Sequence, residues 1–426
     1  MRRVEPAAVP SSAMEHRPLL RDSDIRRYFA ARIVSLTGSA VTYVVMPVLV
    51  YGITGSATWT AFVAVAEGIP YLLTGLWAGA LADHVDRRRM MVTADVSASV
   101  VLMTIPIAWW LGTLTAPHVL IAAFMVQTVF VFFDAANNGA LPSLVARERL
   151  PAANSLVFGG ATVVETIVPG IAGLLLIVIA PASLVAVNVV TFLASALLVR
   201  AIVRPLSPAR RETKLTRHAV AEGLMFIVRH PIVRIMTVVG AMQSFSGGAF
   251  IAVLVAWADQ SLNVREGDWQ LGLLYGAWGA GAVIGSVIMP RVVRAVGAVR
   301  TALLFLPLSA IGGIATALAS TWVVATLAIG GWAVMYMVVT AVAITLRQQV
   351  TPEPLMSRVM TAGRMLAFGA GYPVGALVAG VLAGQIGPAQ AMLVCQFALV
   401  LGSAIAWISP LRAAPRTLEM PADVVA

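Results

Sequence analysis

The sequence predicts an all-α integral membrane protein, with twelve transmembrane helices in two pseudo-symmetric halves of six. Of its 426 residues, 59% are hydrophobic and only 11% are charged, whereas about a quarter of an ordinary soluble domain is charged. Apolar runs long enough to cross a bilayer, which takes about 20 residues per helix, recur along the chain. They lack the two-residue alternation of barrel strands, so helices must satisfy their backbone groups.

Charge and turn residues between the apolar runs set the limits of the predicted helices. The helices are expected at 28–54, 57–81, 90–112, 119–138, 154–180, 182–203, 232–258, 270–290, 301–319, 322–346, 359–385 and 389–409. The corresponding regions are an N-terminal tail (1–27), a first half (28–203), a linker (204–231), a second half (232–409) and a C-terminal tail (410–426). The N-terminal tail is polar and lacks the apolar core of a cleavable signal peptide, so the first helix is expected to serve as signal anchor.

Basic residues predict the orientation in the membrane. Of the 29 Lys and Arg residues, all but Arg32 and Arg265 lie in the tails, the linker or the connections after even-numbered helices and their flanks. Arg32 lies near the same end of helix 1, and Arg265 lies in an acidic loop. Because cytoplasmic loops collect Lys and Arg, both termini are expected in the cytoplasm of a cell whose inner or plasma membrane holds the protein. This distribution explains the net charge of +10 without a nucleic-acid partner.

The two halves also resemble each other weakly in sequence. Gly75 and Gly79 recur as Gly281 and Gly285, and Val145 to Leu150 recurs loosely as Val350 to Leu355 at nearly the same offset. Met289 stands in the second copy where Asp83 stands in the first. Parallel halves of this kind are typical of one large class of transporters.

A charged cluster follows helix 2, from Gly79 to Arg89, with the sequence Gly-Ala-Leu-Ala-Asp-His-Val-Asp-Arg-Arg-Arg. It resembles the signature loop between helices 2 and 3 of the major facilitator superfamily. The matching positions are Gly79, Leu81, Asp83, Arg87 and Arg88, while His84 and Asp86 depart from the pattern. By analogy, Asp83 is a latch that accepts hydrogen bonds from the N-terminus of another helix. Gly75 and Gly79, four residues apart, are expected to let a neighbouring helix approach closely.

Further segments resemble the branch of this superfamily that includes macrolide-efflux proteins and the enterobactin exporter. They are Gly38, 47–56, 132–145 and 150–155. Helix 4 carries no Arg, so the proton-relay Arg of the proton-coupled multidrug branch has no counterpart, and Pro169, Gly170 and Gly173 match the Gly-Pro-rich antiporter motif only in part. The resemblance implies rocking of the halves where helices 2 and 11, and helices 5 and 8, meet. The expected contacts between the halves are Gly272 and Gly276 on helix 8, and Gly371 and Gly375 on helix 11. Tight packing without a role in motion is the other interpretation, and the two are not exclusive.

Acidic residues inside the helices are the candidates for energy coupling. The only lysine, Lys214, lies in a linker without a phosphate-binding loop, so an ion gradient is the expected driver and no cofactor is expected. Glu67 and Glu165 fall near the middle of helices 2 and 5, where an ionised acid costs about 2.5–3.5 kcal/mol or more. Asp95 and Asp134, nearer the helix ends, are interpreted as loop or lipid-interface partners and held as second choices for the coupling site.

Aromatic residues at mid-membrane depth are candidates for a cavity lining, although ordinary core packing explains each of them as well. They are Phe130, Tyr275, Trp278, Trp332 and Tyr336. None of the five His residues falls in mid-membrane, so no metal site is expected, and the single Cys395 permits no internal disulfide.

The sequence therefore predicts a monomeric secondary transporter that exports a hydrophobic drug, antibiotic or siderophore-like compound in exchange for protons. A proton-coupled importer of the same fold is the first alternative. A membrane-embedded enzyme or receptor is the second, and the chain contains neither a metalloprotease His pair nor a Gly-x-Ser-x-Gly elbow. The expected partners are a small-molecule substrate and the lipid bilayer.

Overall fold

A computed structural model describes residues 19–146, 149–207, 217–265, 267–352 and 355–413. Most of both predicted tails therefore lies outside the described residues, and so do parts of the repeated segments after helices 4 and 10. The described part contains twelve long helices. They are α1 (Ser23–Thr54), α2 (Ala57–His84), α3 (Arg87–Trp110), α4 (Ala116–Leu144), α5 (Leu150–Leu175), α6 (Pro181–Arg200), α7 (Pro231–Leu262), α8 (Trp269–Val296), α9 (Ala298–Ala317), α10 (Trp322–Val350), α11 (Met356–Arg364, continued as Tyr372–Ile386) and α12 (Pro388–Ile408).

Eleven of these helices have the length and apolar composition of a membrane span among the described residues, and α2 is the twelfth long helix. The predicted all-α membrane fold is confirmed. Helix ends follow local rules: Asp22 caps α1 by accepting from the backbone N–H groups of Asp24 and Ile25. Gly55, with φ of 62°, ends the same helix in the left-handed conformation that glycine adopts without strain.

Two features of the helices differ from the sequence expectation. The linker, expected to be a polar interruption, contains a short helix, Arg217–Arg229, which we call the linker helix. Helix α11 is not regular, because Met365–Gly371 between its two α-helical parts is π-helical. A π-helical turn widens the backbone spiral and is frequent at functional sites.

The helices alternate in direction, so odd-numbered helices begin, and even-numbered helices end, at one face of the bundle. We call that face the basic end, because the charged cluster after α2 and the linker helix lie there, and the other face the opposite end. The first half comprises α1 to α6 and the second α7 to α12. The halves meet where α2 packs against α11 and α7, and where α5 packs against α8.

Glycines show where this boundary is tightest. A Cβ atom on Gly173 of α5 would lie 2.3 Å from the Cα of Gly272 in α8, and one on Gly170 would lie 3.1 Å from the Cα of Gly276. On α2, a Cβ on Gly68 would lie 2.2 Å from the Pro373 ring of α11. The close contact between α5 and α8 therefore lies at glycines that were singled out in the sequence on these two helices.

Two glycine expectations are wrong. Nothing lies within 4 Å of a Cβ built on Gly75 or Gly79, so no helix approaches them closely, because α2 meets α11 nearer the opposite end. Gly371 and Gly375 face Ala241 and Phe245 of α7, which lie in their own half rather than across the boundary. Small residues permit close packing but do not specify the partner helix.

Candidate functional site

At the opposite end, the two halves are joined by hydrogen bonds as well as by the glycine contacts. Tyr51 of α1 donates from its hydroxyl to a carboxylate oxygen of Asp259 in α7 at 2.7 Å. Thr60 of α2 donates to the backbone oxygen of Ala252 at 2.7 Å, and Thr58 donates to that of Gly380 at 2.8 Å. These contacts close the boundary between the halves at this end.

Deeper in the bundle, an aromatic cluster occupies the second half and borders the first. The ring centroids of Trp278 lie 5.4 Å from Phe250, 5.1 Å from Trp332 and 5.1 Å from Tyr336. The indole Nε1 of Trp332 is buried without a hydrogen-bond partner in the described structure, and so is the hydroxyl of nearby Tyr275. Buried polar atoms ordinarily have partners, so these two donors are unusual features of the cluster.

Glu67 of α2 lies beside this cluster and is half-buried. It is within electrostatic reach of Tyr43 of α1, Tyr275 of α8 and Tyr372 of α11. The hydroxyls of Tyr43 and Tyr372 lie 3.2 Å apart and join the halves. The Glu67 carboxyl itself has no hydrogen bond or ion pair within the described chain. An unpaired acid is thus placed among tyrosines from both halves, a position we call the central site.

Nearer the basic end, a second polar site is built around Asp134 of α4. Its Oδ1 lies 3.3 Å from Nη2 of Arg32 in α1, and its Oδ2 lies 3.2 Å from Nη2 of Arg364 in α11. The hydroxyl of Tyr71 in α2 and the amide of Asn138 also donate to Oδ2, each at 3.3 Å. Asp134 is only 7% exposed, so its interpretation as a lipid-interface residue is wrong. One carboxylate links three helices of the first half to α11 of the second.

Arg32 is shared among several acids. Its side chain is 14% exposed, it lies over the Phe130 ring at 5.9 Å, and its Nε and Nη1 have no partner in the described structure. Asp95 of α3 and Glu165 of α5 are both within its electrostatic reach. Glu165, predicted near the middle of the fifth helix, has an exposed side chain. Arg32 therefore interacts with three acids of the first half, namely Asp134, Asp95 and Glu165.

Asp95 is enclosed inside the first half, and its interpretation as a lipid-interface partner is also wrong. It is 2% exposed, and its Oδ2 has no hydrogen-bond partner in the described structure. It lines a cavity of about 10 Å³, together with Phe130, Phe133 and Phe192. That volume holds about one water molecule. Phe130 thus lines this small cavity rather than the space beside the aromatic cluster.

The signature loop is described only in part, because the Asp83 side chain lies outside the described residues. Arg87 donates from Nη1 to the backbone oxygen of Gly139 in α4 at 2.7 Å. Arg88 donates to the backbone oxygens of Val203 and Arg204 beyond α6. Leu81 is exposed. The described arginines therefore fasten the loop within the first half.

Several residues of these sites were not predicted from the sequence. Arg32 was noted only for its place in the charge distribution, and Arg364, Tyr71, Tyr43 and Tyr372 were not singled out. The available signal was an arginine inside an apolar run, which is costly in a membrane unless it is paired or lines a cavity. Among the described residues, no group of three or more His, Cys, Asp or Glu side chains could hold a metal ion.

Two six-helix halves that meet around polar sites inside the helical bundle define a transporter and not an enzyme. Residues 15–424 match the family described as transmembrane secretion effectors, within the major facilitator superfamily, and the chain belongs to this family. It is 25% identical over 392 residues to the multidrug efflux pump Tap of Mycolicibacterium fortuitum, covering 89% of this chain and 94% of that protein. It is 27% identical over 393 residues to the enterobactin exporter EntS of Escherichia coli O1:K1, covering 88% and 89%.

Solved structures share the fold. The structure of a bacterial homologue of the iron transporter ferroportin in an inward-facing state aligns with a TM-score of 0.72 at 18% identity, over 92% of this chain and 99% of that one. The nucleoside transporter NupG aligns with a TM-score of 0.71 at 10% identity, over 90% and 98%. The resemblance to the major facilitator superfamily is confirmed.

Proposed function

We propose that the protein exports a hydrophobic or amphipathic small molecule in exchange for protons, by alternating access. The observation that carries the proposal is Glu67, an unpaired carboxyl beside an aromatic cluster where the two halves meet. Aromatic rings bind apolar and cationic groups, and a carboxyl in such a site can hold either a proton or a charged or polar substrate group. The names of two relatives, a multidrug efflux pump and an enterobactin exporter, support the direction of transport.

We propose that the protein lies in the inner or plasma membrane of the cell. In this orientation the basic end faces the cytoplasm. Basic connections favour that side. Substrate enters the central site from the basic end when the Arg364–Asp134 contact opens, while the contacts between Gly173 and Gly272 keep the opposite end closed. The exchange of these two closures moves the substrate across the membrane.

Coupling follows if a proton and the substrate exclude each other at Glu67. Substrate arriving from the cytoplasm displaces the proton, and protonation from outside releases the substrate; this mutual exclusion is the coupling free energy. Arg32 extends the effect to the second site, because its charge must be balanced by Asp134, Asp95 or Glu165. A proton taken up by any of these acids changes the pairing of Arg32.

The test has two stages. A resistance and accumulation screen in a pump-deleted host, against antibiotics and siderophores with and without an uncoupler, identifies a substrate and the direction of transport. Purified protein in liposomes with an imposed pH gradient then tests coupling. We expect Glu67→Gln to abolish uphill transport but leave downhill exchange, while Asp268→Asn, in the loop before α8, transports like the wild type. Accumulation in energised cells, or uphill transport by Glu67→Gln with an unchanged pH dependence, would overturn the proposal.

A further inference from the structure

The linker helix carries an apolar edge that the rest of the described chain leaves uncovered. Leu224, Met225 and Val228 are 38%, 50% and 58% exposed. Leu224 and Val228 are four residues apart and therefore lie on the same side of the helix, with Met225 next to them. The three side chains form a continuous strip, which we call the linker edge.

The opposite side of the linker helix is firmly docked, so the linker edge has a fixed place. A Cβ on Gly223 would lie 2.8 Å from the carbonyl carbon of Arg358 in α11, so the two backbones are in close contact. Ile227 is 4% exposed in a cluster with Val233 of α7 and Val359 of α11. Glu222 also forms an ion pair with Arg358. The helix therefore already has its protein partner on one face.

Positive charge borders the linker edge. Arg229 ends the helix and is exposed. Arg234, in the first turn of α7, is also exposed and donates from Nη1 to the backbone oxygen of Val228 at 3.2 Å. His230 is the only residue between the linker helix and α7. The linker edge therefore lies beside the point where a membrane-spanning helix begins.

We propose that the linker edge binds anionic lipid headgroups in the membrane leaflet at the basic end. An amphipathic helix with apolar side chains and flanking arginines lies in the plane of the interface, with its apolar face among the acyl chains. Leu224, Met225 and Val228 enter the acyl region, while Arg229 and Arg234 pair with phosphate groups at its border. Each basic residue close to an anionic surface strengthens such binding by about fivefold.

Lipid binding at this place reaches the Asp134 site through α11. The linker helix touches α11 at Arg358, and Arg364 lies in the same α-helical segment, Met356–Arg364. An anchored linker helix therefore restrains the segment whose Arg364 pairs with Asp134 across the two halves. This regulatory step rests on the proposed transport cycle, whereas the lipid contact does not.

The lipid contact is tested directly by fluorescence quenching. The single cysteine is removed by Cys395→Ala, and an environment-sensitive dye is attached at Leu224→Cys or Val228→Cys in nanodiscs. We expect a brominated phosphatidylglycerol to quench both dyes at least twofold more strongly than brominated phosphatidylcholine at the same mole fraction. Arg229→Gln with Arg234→Gln should remove that preference.

The matched control is Arg291→Gln with Arg294→Gln, which removes two exposed arginines from the basic end of α8 and should leave the preference unchanged. Dyes that neither lipid quenches would place the linker edge in water or against another protein and overturn the proposal. Equal quenching by both lipids in the unaltered arginine background would overturn the recognition of anionic headgroups. Neither result bears on substrate export, so the two proposals fail separately.

Discussion

Arg364 of α11 and Asp134 of α4 form an ion pair between the two halves, with 3.2 Å between Nη2 and Oδ2. The Arg364 side chain is 56% exposed, whereas that of Asp134 is 10% exposed. The contact therefore combines an arginine that is more than half exposed with a carboxylate that is buried. At the opposite end, by contrast, backbone packs directly on backbone at Gly173 and Gly272.

We expect Arg364→Gln to favour the state that is open at the basic end. Because the Arg364 side chain is more than half exposed and Asp134 keeps its pair with Arg32, the loss should resemble that of an exposed ion pair, about 0–1 kcal/mol. The open population should then rise by up to about fivefold. Spin labels at Arg89→Cys and Arg291→Cys, in a Cys395→Ala background, measure the distance between the halves there. Arg294→Gln is the control, because within the described chain this guanidinium bonds only to a backbone oxygen of its own helix. An unchanged distance distribution in Arg364→Gln would show that this contact does not hold the halves together.

Arg32 and Asp134 should depend on each other for stability. Asp134→Asn leaves Arg32 without the carboxylate 3.3 Å away, and breaking a buried ion pair costs about 3–5 kcal/mol. The double variant Arg32→Gln with Asp134→Asn should recover a large part of this loss, because the buried guanidinium of Arg32 is removed together with its carboxylate. Arg364, the exposed partner of Asp134, loses the same ion pair in both Asp134 variants. Thermal unfolding in detergent compares the stability of the wild type, the two single variants and the double variant, which together form a double-mutant cycle. Additive losses would mean that the two residues act independently.

The α5–α8 contact is tested by one substitution at two glycines. Gly173→Ala places a Cβ 2.3 Å from the Gly272 Cα, and overpacking of this kind costs about 1–3 kcal/mol. We expect the opposite end to close less often, which spin labels at Thr113→Cys and Leu318→Cys would register as longer distances. Gly75→Ala, with nothing within 4 Å, should behave like the wild type. Equal effects of the two substitutions would contradict a closure that depends on this contact.

The sequence alone predicted much of this architecture, for a physical reason. The number and length of the helices depend on the apolar runs, which are local properties of the chain. The close approach of α5 and α8 could also be predicted from Gly173 and Gly272, because neither glycine has a side chain that would hold the other helix away.

The partners of individual side chains were harder to predict from the sequence. Whether Asp134 faces lipid or Arg32 depends on the rotation of α4 about its axis, which its apolar neighbours on all sides leave undefined. Gly371 and Gly375 were assigned to the wrong interface for the same reason, since a small residue accepts any helix that approaches it. Arg364 could have been recognised only as an arginine within an apolar run, without its partner.

The docking of the linker helix should depend on pH through His230. Nδ1 of His230 accepts from the backbone N–H of Val233 at 3.4 Å, and its ring stacks on Phe226 with centroids 5.4 Å apart. Burial lowers the pKa of His230 below its ordinary value of 6.5. Protonation would remove the acceptor and place a positive charge at the positive end of α7.

Proton linkage gives the direction in which pH changes the docking of the linker helix. Between the lowered pKa and 6.5, the undocked state binds the proton and the docked state does not, so docking strengthens as the pH rises through this window. The stabilisation of the docked linker helix by neutral His230 is therefore complete above about pH 6.5 and is lost as the medium becomes more acidic. Amide hydrogen exchange across 222–229, corrected for the intrinsic rate, should be faster at pH 5.5 than at pH 7.5 relative to α9. His230→Asn, which still caps a helix but does not titrate, should remove this difference, and a pH effect that persists in His230→Asn would assign it to another group.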